Sequence, residues 1–97
     1  MIDLPADQLE QVRQIVRIHL PHEEVFAFGS RVNGQARKFS DLDLMIKAKH
    51  NLPWRTLAEL RESFEASDLP ITVDVVDWGN CSDRFRKIVA PELVRLV

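Results

Sequence analysis

The chain has 97 residues, of which 45% are hydrophobic and 29% charged, and its 13 basic and 15 acidic residues leave a net charge of −2. This length and composition predict one domain, residues 1–97, and exclude a disordered chain; Cys81, the sole cysteine, excludes a disulfide scaffold. The acidic balance (pI ≈ 5.9) argues against direct binding of long nucleic acid. Because no apolar run approaches the ~20 residues that span a bilayer, we expect no membrane association and predict a cytoplasmic location.

Hydrophobic periodicity predicts helices alternating with strands. In chain order, the predicted elements are a helix over 6–20, a strand over 25–28, a short helix over 31–36 capped by Ser30, a strand over 41–46, a helix from Pro53 to before Pro70, a strand over 71–78 and a helix from Ser82 to Pro91. Prolines lie where helices begin or end. The predicted fold class is therefore α/β, with helices covering at least one face of a small sheet.

Two features of this pattern concern packing. The amphipathic tail, residues 92–97, fits either closure of the core or docking on another chain. Trp54 and Trp78 are large enough to be core anchors or partner-facing residues, and we expect both to lie in the core.

Three aspartates lie in segments that are otherwise strongly strand-forming, although Asp is depleted in strands. Alternation places Asp41 and Asp43 opposite the apolar residues of their strand, and Asp74 opposite those of its own. If the two strands are neighbours, the three carboxylates converge on one face, where a divalent cation would offset their repulsion. An oxygen-only ligand set favours Mg²⁺ or Mn²⁺. Taken alone, Asp41 and Asp43 also fit the solvated face of a half-exposed strand.

A Gly29-Ser30 pair directly follows the first predicted strand. Glycine allows close approach of a phosphate, and a serine hydroxyl with the free amides of a helix start donates hydrogen bonds to it. An isolated Gly-Ser would also fit an ordinary turn. Its proximity in sequence to the aspartates favours a phosphate-binding turn beside a carboxylate cluster.

Other polar residues carry weaker signals. His19, His22 and His50 lack metal-ligand spacing and are expected at helix ends or in loops. Cys81 lacks a catalytic motif. Arg31 and Arg37 fit a phosphate contact, the sheet edge or a surface ion pair, and neither is predicted to be catalytic.

Together these residues resemble a known family. Gly29-Ser30, ten intervening residues, Asp41-Leu42-Asp43 and a later Asp74 resemble the motif of the nucleotidyltransferase superfamily related to DNA polymerase β. The wording GSRVNGQARKFSDLDLMI is similar to the minimal nucleotidyltransferases, or MNT proteins, antitoxins encoded beside small helical HEPN proteins. The resemblance covers about residues 25–77. It implies the polymerase β-like fold, a small mixed sheet of three or more strands with helices packed on it.

The resemblance also implies roles for the matching residues. Asp41, Asp43 and Asp74 would be catalytic and ligate Mg²⁺ or Mn²⁺, while Gly29 and Ser30 would bind the phosphates of a nucleoside triphosphate, ATP. Asp74 would help deprotonate the attacking hydroxyl. The implied reaction moves AMP from ATP to a hydroxyl of a HEPN toxin, with Tyr the expected acceptor, and releases pyrophosphate. A hetero-oligomer with that toxin is expected.

A second hypothesis is a non-catalytic binding module, which neutralises a HEPN ribonuclease by covering it and keeps the nucleotide only as a ligand. The small size and amphipathic tail are its basis. We favour the enzyme, because a pure cover has no need for three aspartates in strands. A sugar or antibiotic nucleotidyltransferase normally carries a larger second domain, and polymerisation on nucleic acid conflicts with the acidic pI.

Overall fold

A computed structural model describes residues 1–97 and contains three helices and four strands. The helices are α1 (Ala6–His19), α2 (Trp54–Ala66) and α3 (Asp83–Val89). The strands are β1 (Glu24–Phe28), β2 (Leu42–Lys47), β3 (Val73–Asp77) and β4 (Val94–Arg95). Single 3₁₀ turns lie at Gly29–Arg31, Trp78–Asn80 and Ala90–Glu92. No helix combines the length and the apolar character needed to cross a membrane.

The starts of α2 and α3 follow the predicted local signals. Pro53 directly precedes α2, where its missing N–H costs no helical hydrogen bond. The Ser82 hydroxyl accepts a hydrogen bond from the Phe85 N–H at 3.1 Å and caps α3. These caps confirm the predicted positions of both helices.

The four strands form one mixed sheet in the order β3-β2-β1-β4. Strand β1 is antiparallel to β2 and β4, whereas β2 and β3 are parallel. The crossover that joins β2 to β3 contains α2, as a parallel pair requires. The predicted α/β fold with a small mixed sheet is therefore confirmed.

The two faces of the sheet are packed differently. On one face, Leu42, Leu44 and Ile46 of β2 are fully buried in a core shared with α1 and α2. On the other, a smaller cluster forms around Phe28, Met45 and Val89 of α3. Phe28 also meets Phe85 edge-on, with ring centroids 6.0 Å apart and planes at 80°. The predicted alternation in β2 and β3 thus separates a main core from the face that carries aspartates.

The structure corrects the predicted helix over 31–36. Only a single 3₁₀ turn forms, and it begins at Gly29, so Ser30 lies inside the turn rather than capping a helix. Gly34, with φ of +82°, has a backbone conformation that a right-handed helix does not contain.

Two further expectations concern packing. Trp54 is 75% exposed, so the prediction that it is a core residue is wrong; as the first residue of α2 it lies beyond the buried Leu60 and Phe64. The sequence left two alternatives for the tail, closure of the core or docking on another chain. In the structure the tail adds β4 to the sheet and buries Leu96 in the main core. The tail therefore closes the core.

Candidate active site

Asp43 and Asp74 lie side by side. They are register partners across the parallel pair β2 and β3, so their side chains project from the same face of the sheet. Asp43 is half-buried and Asp74 is exposed. Asp41 is exposed and precedes β2 by one residue. The strand adjacency on which the predicted cluster depended is confirmed.

The charges around Asp43 are all negative. Burial, and then the nearby carboxylates of Asp74, Asp41 and Glu92, raise the pKa of Asp43 above its ordinary value. None of these four acidic groups forms an ion pair, because the three ion pairs of the protein involve other residues. An uncompensated group of carboxylates at one point favours a cationic ligand.

Two cations on this face, Lys47 and Arg86, lie at the opposite end of the strands. The Lys47 Nζ lies 4.3 Å from the centre of the Trp78 ring, and the Arg86 Cζ lies 5.5 Å from it. Lys47 is four residues beyond Asp43 along β2, a separation of roughly 13 Å at the ordinary strand rise. Neither cation reaches the aspartates, and Arg61, which lines the same cleft as Asp43 and Asp74, donates a hydrogen bond to the Val75 carbonyl and forms no ion pair with them.

The donor set fits a hard divalent cation such as Mg²⁺, since it consists of carboxylate oxygens without cysteine or histidine. No three His, Cys, Asp or Glu side chains are placed as a group that could hold a metal ion. Metal binding at Asp41, Asp43 and Asp74 therefore stays a prediction based on charge and donor chemistry.

Gly29 makes the closest approach to Asp43. Its φ is +80°, a left-handed conformation that favours glycine, and a Cβ built on it would lie 2.5 Å from the Asp43 Oδ2. Ser30 is the next residue of the same 3₁₀ turn and is half-buried. The structure thus brings Gly29 of the predicted phosphate-binding turn against one of the predicted catalytic carboxylates.

The Gly29 N–H does not point freely toward a ligand. It donates a hydrogen bond of 3.0 Å to the carboxylate of Glu92, from the C-terminal segment. Sequence reasoning missed Glu92, because a contact between residues 63 positions apart leaves no local signal.

Arg31 is the one buried charged residue, with 6% of its surface exposed. Its guanidinium donates hydrogen bonds of 2.9–3.2 Å to the backbone carbonyls of Asp3, Lys38 and Ser40. The last two carbonyls belong to the segment that leads into Asp41. Arg31 is therefore a structural residue that holds this segment, which rules out both the phosphate contact and the surface ion pair, whereas Arg37 is exposed.

Replacing Arg31 with Met should lower the free energy of unfolding by about 2–4 kcal/mol, because hydrogen bonds to a buried charged group are lost. Replacement with Lys should recover only part of this loss, since an ammonium cannot reproduce the planar fork. Urea denaturation of the purified variants measures both effects. Arg37→Met is the control, with an expected change within about 0.5 kcal/mol; an Arg31→Met variant as stable as the wild type would contradict the structural role.

A cleft of about 800 Å³ opens beside the two strand aspartates. It runs along β3 and the C-terminal part of α2, and its walls include Asp43, Asp74, Phe28 and Phe85. Strand β3 is the edge of the sheet. The volume lies within the ~300–1,000 Å³ range of small-molecule sites, so the carboxylates have room for a substrate group beside them.

The remaining polar candidates lie elsewhere. His19 ends α1 and makes a 2.7 Å hydrogen bond with Ser63 of α2, whereas His22 and His50 are exposed in connecting segments. Burial, opposed by the nearby Arg86, raises the pKa of the Cys81 thiol, whose Sγ donates to the Asp77 carbonyl at 3.3 Å. A raised pKa keeps the thiol protonated, which disfavours a nucleophilic role.

Comparison with known proteins identifies the family of this fold and site. Residues 10–95 match the protein family described as "Polymerase beta, Nucleotidyltransferase". This match covers most of the chain, which therefore belongs to that family of nucleotidyltransferases. The resemblance drawn from Gly29-Ser30 and the three aspartates is confirmed at the level of family and enzyme class.

Two individual relatives are similar to most of the chain. MntA of Haemophilus influenzae, described as a probable protein adenylyltransferase, is 42% identical over 88 residues, which are 91% of this chain and 77% of that protein. A solved toxin–antitoxin structure with AMP-PNP contains a chain 26% identical to this one, with a TM-score of 0.75 over 92% of this chain and 72% of that chain.

A third relative is known in complex with its partner. A structure of tri-AMPylated Shewanella oneidensis HEPN toxin in complex with MNT antitoxin matches with a TM-score of 0.67 and 23% identity. The match covers 92% of this chain and 68% of that chain. At this identity the likeness shows the shared fold.

Proposed function

We propose that the chain is an Mg²⁺-dependent antitoxin that transfers AMP from ATP to a hydroxyl of a HEPN-type toxin and releases pyrophosphate. The observation that carries the proposal is the pairing of Asp43 with Asp74 beside the tightly packed Gly29. The 42% identity with MntA, described as a probable protein adenylyltransferase, supports protein as the acceptor. A cytoplasmic complex with the toxin is part of this proposal.

Two solved relatives support the substrates. One contains AMP-PNP, an ATP analogue, which supports ATP as the donor. The other contains a tri-AMPylated HEPN toxin, which supports the toxin as the acceptor of AMP. Tyr is the proposed acceptor residue because its phenol fits the surroundings of the aspartates.

The reaction is an in-line displacement at the α-phosphorus of ATP. The acceptor oxygen loses its proton and forms a bond to the α-phosphorus, while the bond from that phosphorus to the bridging oxygen breaks. Pyrophosphate leaves with the bonding electron pair. Asp74 is the proposed hydrogen-bond acceptor for the attacking hydroxyl and takes up its proton, because it lies next to Asp43 and is exposed.

The turn and the other two carboxylates hold the donor. Ser30 and the backbone of the 3₁₀ turn are proposed to bind the terminal phosphates. Mg²⁺, held by Asp41, Asp43 and Asp74, would neutralise charge on the triphosphate and lower the pKa of the acceptor hydroxyl. Arg31 keeps the segment before Asp41 in place through its three carbonyl partners.

The cleft along β3 is the proposed route of the acceptor. Phe28 and Phe85 line it on the same side as Asp43 and Asp74. A tyrosine combines an apolar ring with a polar hydroxyl tip, so its ring matches the phenylalanines while its hydroxyl reaches the carboxylates.

Label transfer tests the proposal directly. The chain is copurified with its toxin and incubated with Mg²⁺ and ATP labelled at either the α- or the γ-phosphate, and the proteins are separated on a gel. We expect label on the toxin from the α position alone. The Asp41→Asn, Asp43→Asn double variant is the control and should show no transfer.

Other outcomes decide against the proposal. Label from the γ position would indicate a kinase reaction instead. Absence of label from either position, in a complex that stays intact, would establish the binding-module alternative. Equal labelling by the wild type and the double variant would remove these aspartates from the mechanism.

A further inference from the structure

Glu92 connects the C-terminal segment to the proposed phosphate-binding turn. Its half-buried side chain lies at the end of the 3₁₀ turn Ala90–Glu92, and its Oε1 accepts a hydrogen bond of 3.0 Å from the Gly29 N–H. The carbonyl of Gly29 is used within its own turn, where it accepts hydrogen bonds from Val32 and Asn33. The hydrogen bond from the Gly29 N–H to Glu92 therefore links this turn to the C-terminal segment.

The register of the sheet explains why Glu92 reaches this position. Strands β1 and β4 are antiparallel, with Ala27 opposite Val94. Continuing that register by two residues places Gly29 opposite Glu92. At Glu92 the backbone has already turned away from the strand, so a side-chain oxygen accepts the hydrogen bond that a strand carbonyl would otherwise accept.

Gly29 has little freedom to move without disturbing the site. A Cβ at this position would lie 2.5 Å from the Asp43 Oδ2, so Gly29 and the carboxylate are in close contact. A hydrogen bond that fixes the Gly29 N–H thus also fixes the distance between the turn and Asp43.

We propose that Glu92 is a positioning residue, which holds the Gly29–Ser30 turn against Asp43 in the geometry that binds the nucleotide phosphates. The inference rests on the proposed nucleotidyl transfer. Glu92 acts through its hydrogen bond, and its negative charge is not required. Its charge even opposes ionisation of Asp43.

The variants Glu92→Gln and Glu92→Ala separate the hydrogen bond from the charge. Gln keeps a side-chain oxygen that accepts from Gly29 and removes the charge, whereas Ala removes both. In the free protein, amide hydrogen exchange at Gly29 should be nearly unchanged in Glu92→Gln and about tenfold faster in Glu92→Ala, as expected for loss of one hydrogen bond at the upper end of the usual range. Exposed Glu59 in α2 provides a matched control, Glu59→Ala.

The functional readout is the kinetics of AMP transfer with toxin saturating. In Glu92→Ala the KM for ATP should rise about tenfold with a smaller change in kcat, and Glu92→Gln should restore the wild-type KM. Affinity for AMP-PNP with Mg²⁺, measured by calorimetry, should follow the same order. A merely structural defect would instead reduce the active fraction and lower kcat without changing KM.

Each contrary result would overturn a specific part of the proposed role of Glu92. If Glu92→Gln and Glu92→Ala weakened AMP-PNP binding equally, the negative charge of Glu92 would be the feature that matters. Tighter AMP-PNP binding in both variants would show that Glu92 competes with phosphate for the turn. An unchanged rate of amide hydrogen exchange at Gly29 in Glu92→Ala would show that this hydrogen bond does not hold the turn. Because exchange is measured without nucleotide, it decides the positioning role even where wild-type protein transfers no AMP, a result that would instead refute the proposed function.

Discussion

Replacing Asp43 with Asn should abolish AMP transfer and at the same time stabilise the folded protein at neutral pH. The variant loses the negative charge of the Asp43 carboxylate, a proposed ligand of Mg²⁺. Stabilisation of transition-state charge by a bound metal ion is worth several kcal/mol. At 1.36 kcal/mol for each tenfold change, transfer should fall by about a thousandfold or more. The single-turnover rate of label transfer to the toxin measures this loss.

The stability gain follows from the raised pKa of Asp43. Burial and the carboxylates of Asp74, Asp41 and Glu92 disfavour the charged form in the folded state, whereas the unfolded chain keeps the ordinary pKa near 3.8. The folded wild type is therefore penalised above the folded pKa, and the penalty disappears as pH falls through that pKa toward 3.8. The neutral asparagine carries no such penalty at any pH.

Urea denaturation without divalent cations, at a series of pH values from 7 downward, tests this sign. The advantage of Asp43→Asn over the wild type should be greatest at pH 7 and should shrink as the solution is acidified. Asp41→Asn is the matched comparison, because Asp41 is exposed and one residue outside β2. It should lose transfer with a smaller change in stability; an Asp43→Asn variant less stable than the wild type at pH 7 would contradict the electrostatic account.

The parts of the fold that could be predicted are those with a local cause. Alternation in Asp41-Leu42-Asp43-Leu44 specified which side of β2 faces the core, because a strand has a period of two. Proline and serine marked the starts of α2 and α3 for equally local reasons. The convergence of Asp43 and Asp74 needed one further assumption, that their strands are neighbours, and the parallel register supplies it.

The parts that could not be predicted depend on distant segments. Whether the tail closes the core or docks elsewhere is decided by its pairing with β1, in which Phe26 lies opposite Arg95, 69 positions away. That same pairing brings Glu92 to Gly29. The burial of Arg31 depends on three carbonyls that only the folded chain brings together. The residues that position the site are therefore less visible in the sequence than those proposed to perform the chemistry.

Gly29→Ala is expected to impair transfer far more than stability. A left-handed conformation costs a residue with a Cβ about 1–2 kcal/mol, and the free energy of unfolding should fall by that amount. The new methyl group would also meet the Asp43 Oδ2, which stands 2.5 Å from its position. The carboxylate end of Asp43 can rotate away, so the fold survives, but a displacement of about 1 Å in a reacting group lowers the rate about a hundredfold.

Gly34→Ala separates the contact with Asp43 from backbone strain. Gly34 has φ of +82°, nearly the value of +80° at Gly29, yet no atom lies within 4 Å of the Cβ it would gain. The two variants should therefore lose similar amounts of stability in urea denaturation, while only Gly29→Ala loses transfer of label from α-labelled ATP. Equal loss of transfer in both variants would assign the effect to the backbone of the whole 29–34 segment. Wild-type AMP transfer by Gly29→Ala would show that the close approach of Gly29 to Asp43 is not required, because the Asp43 carboxylate would then support the reaction from a displaced position.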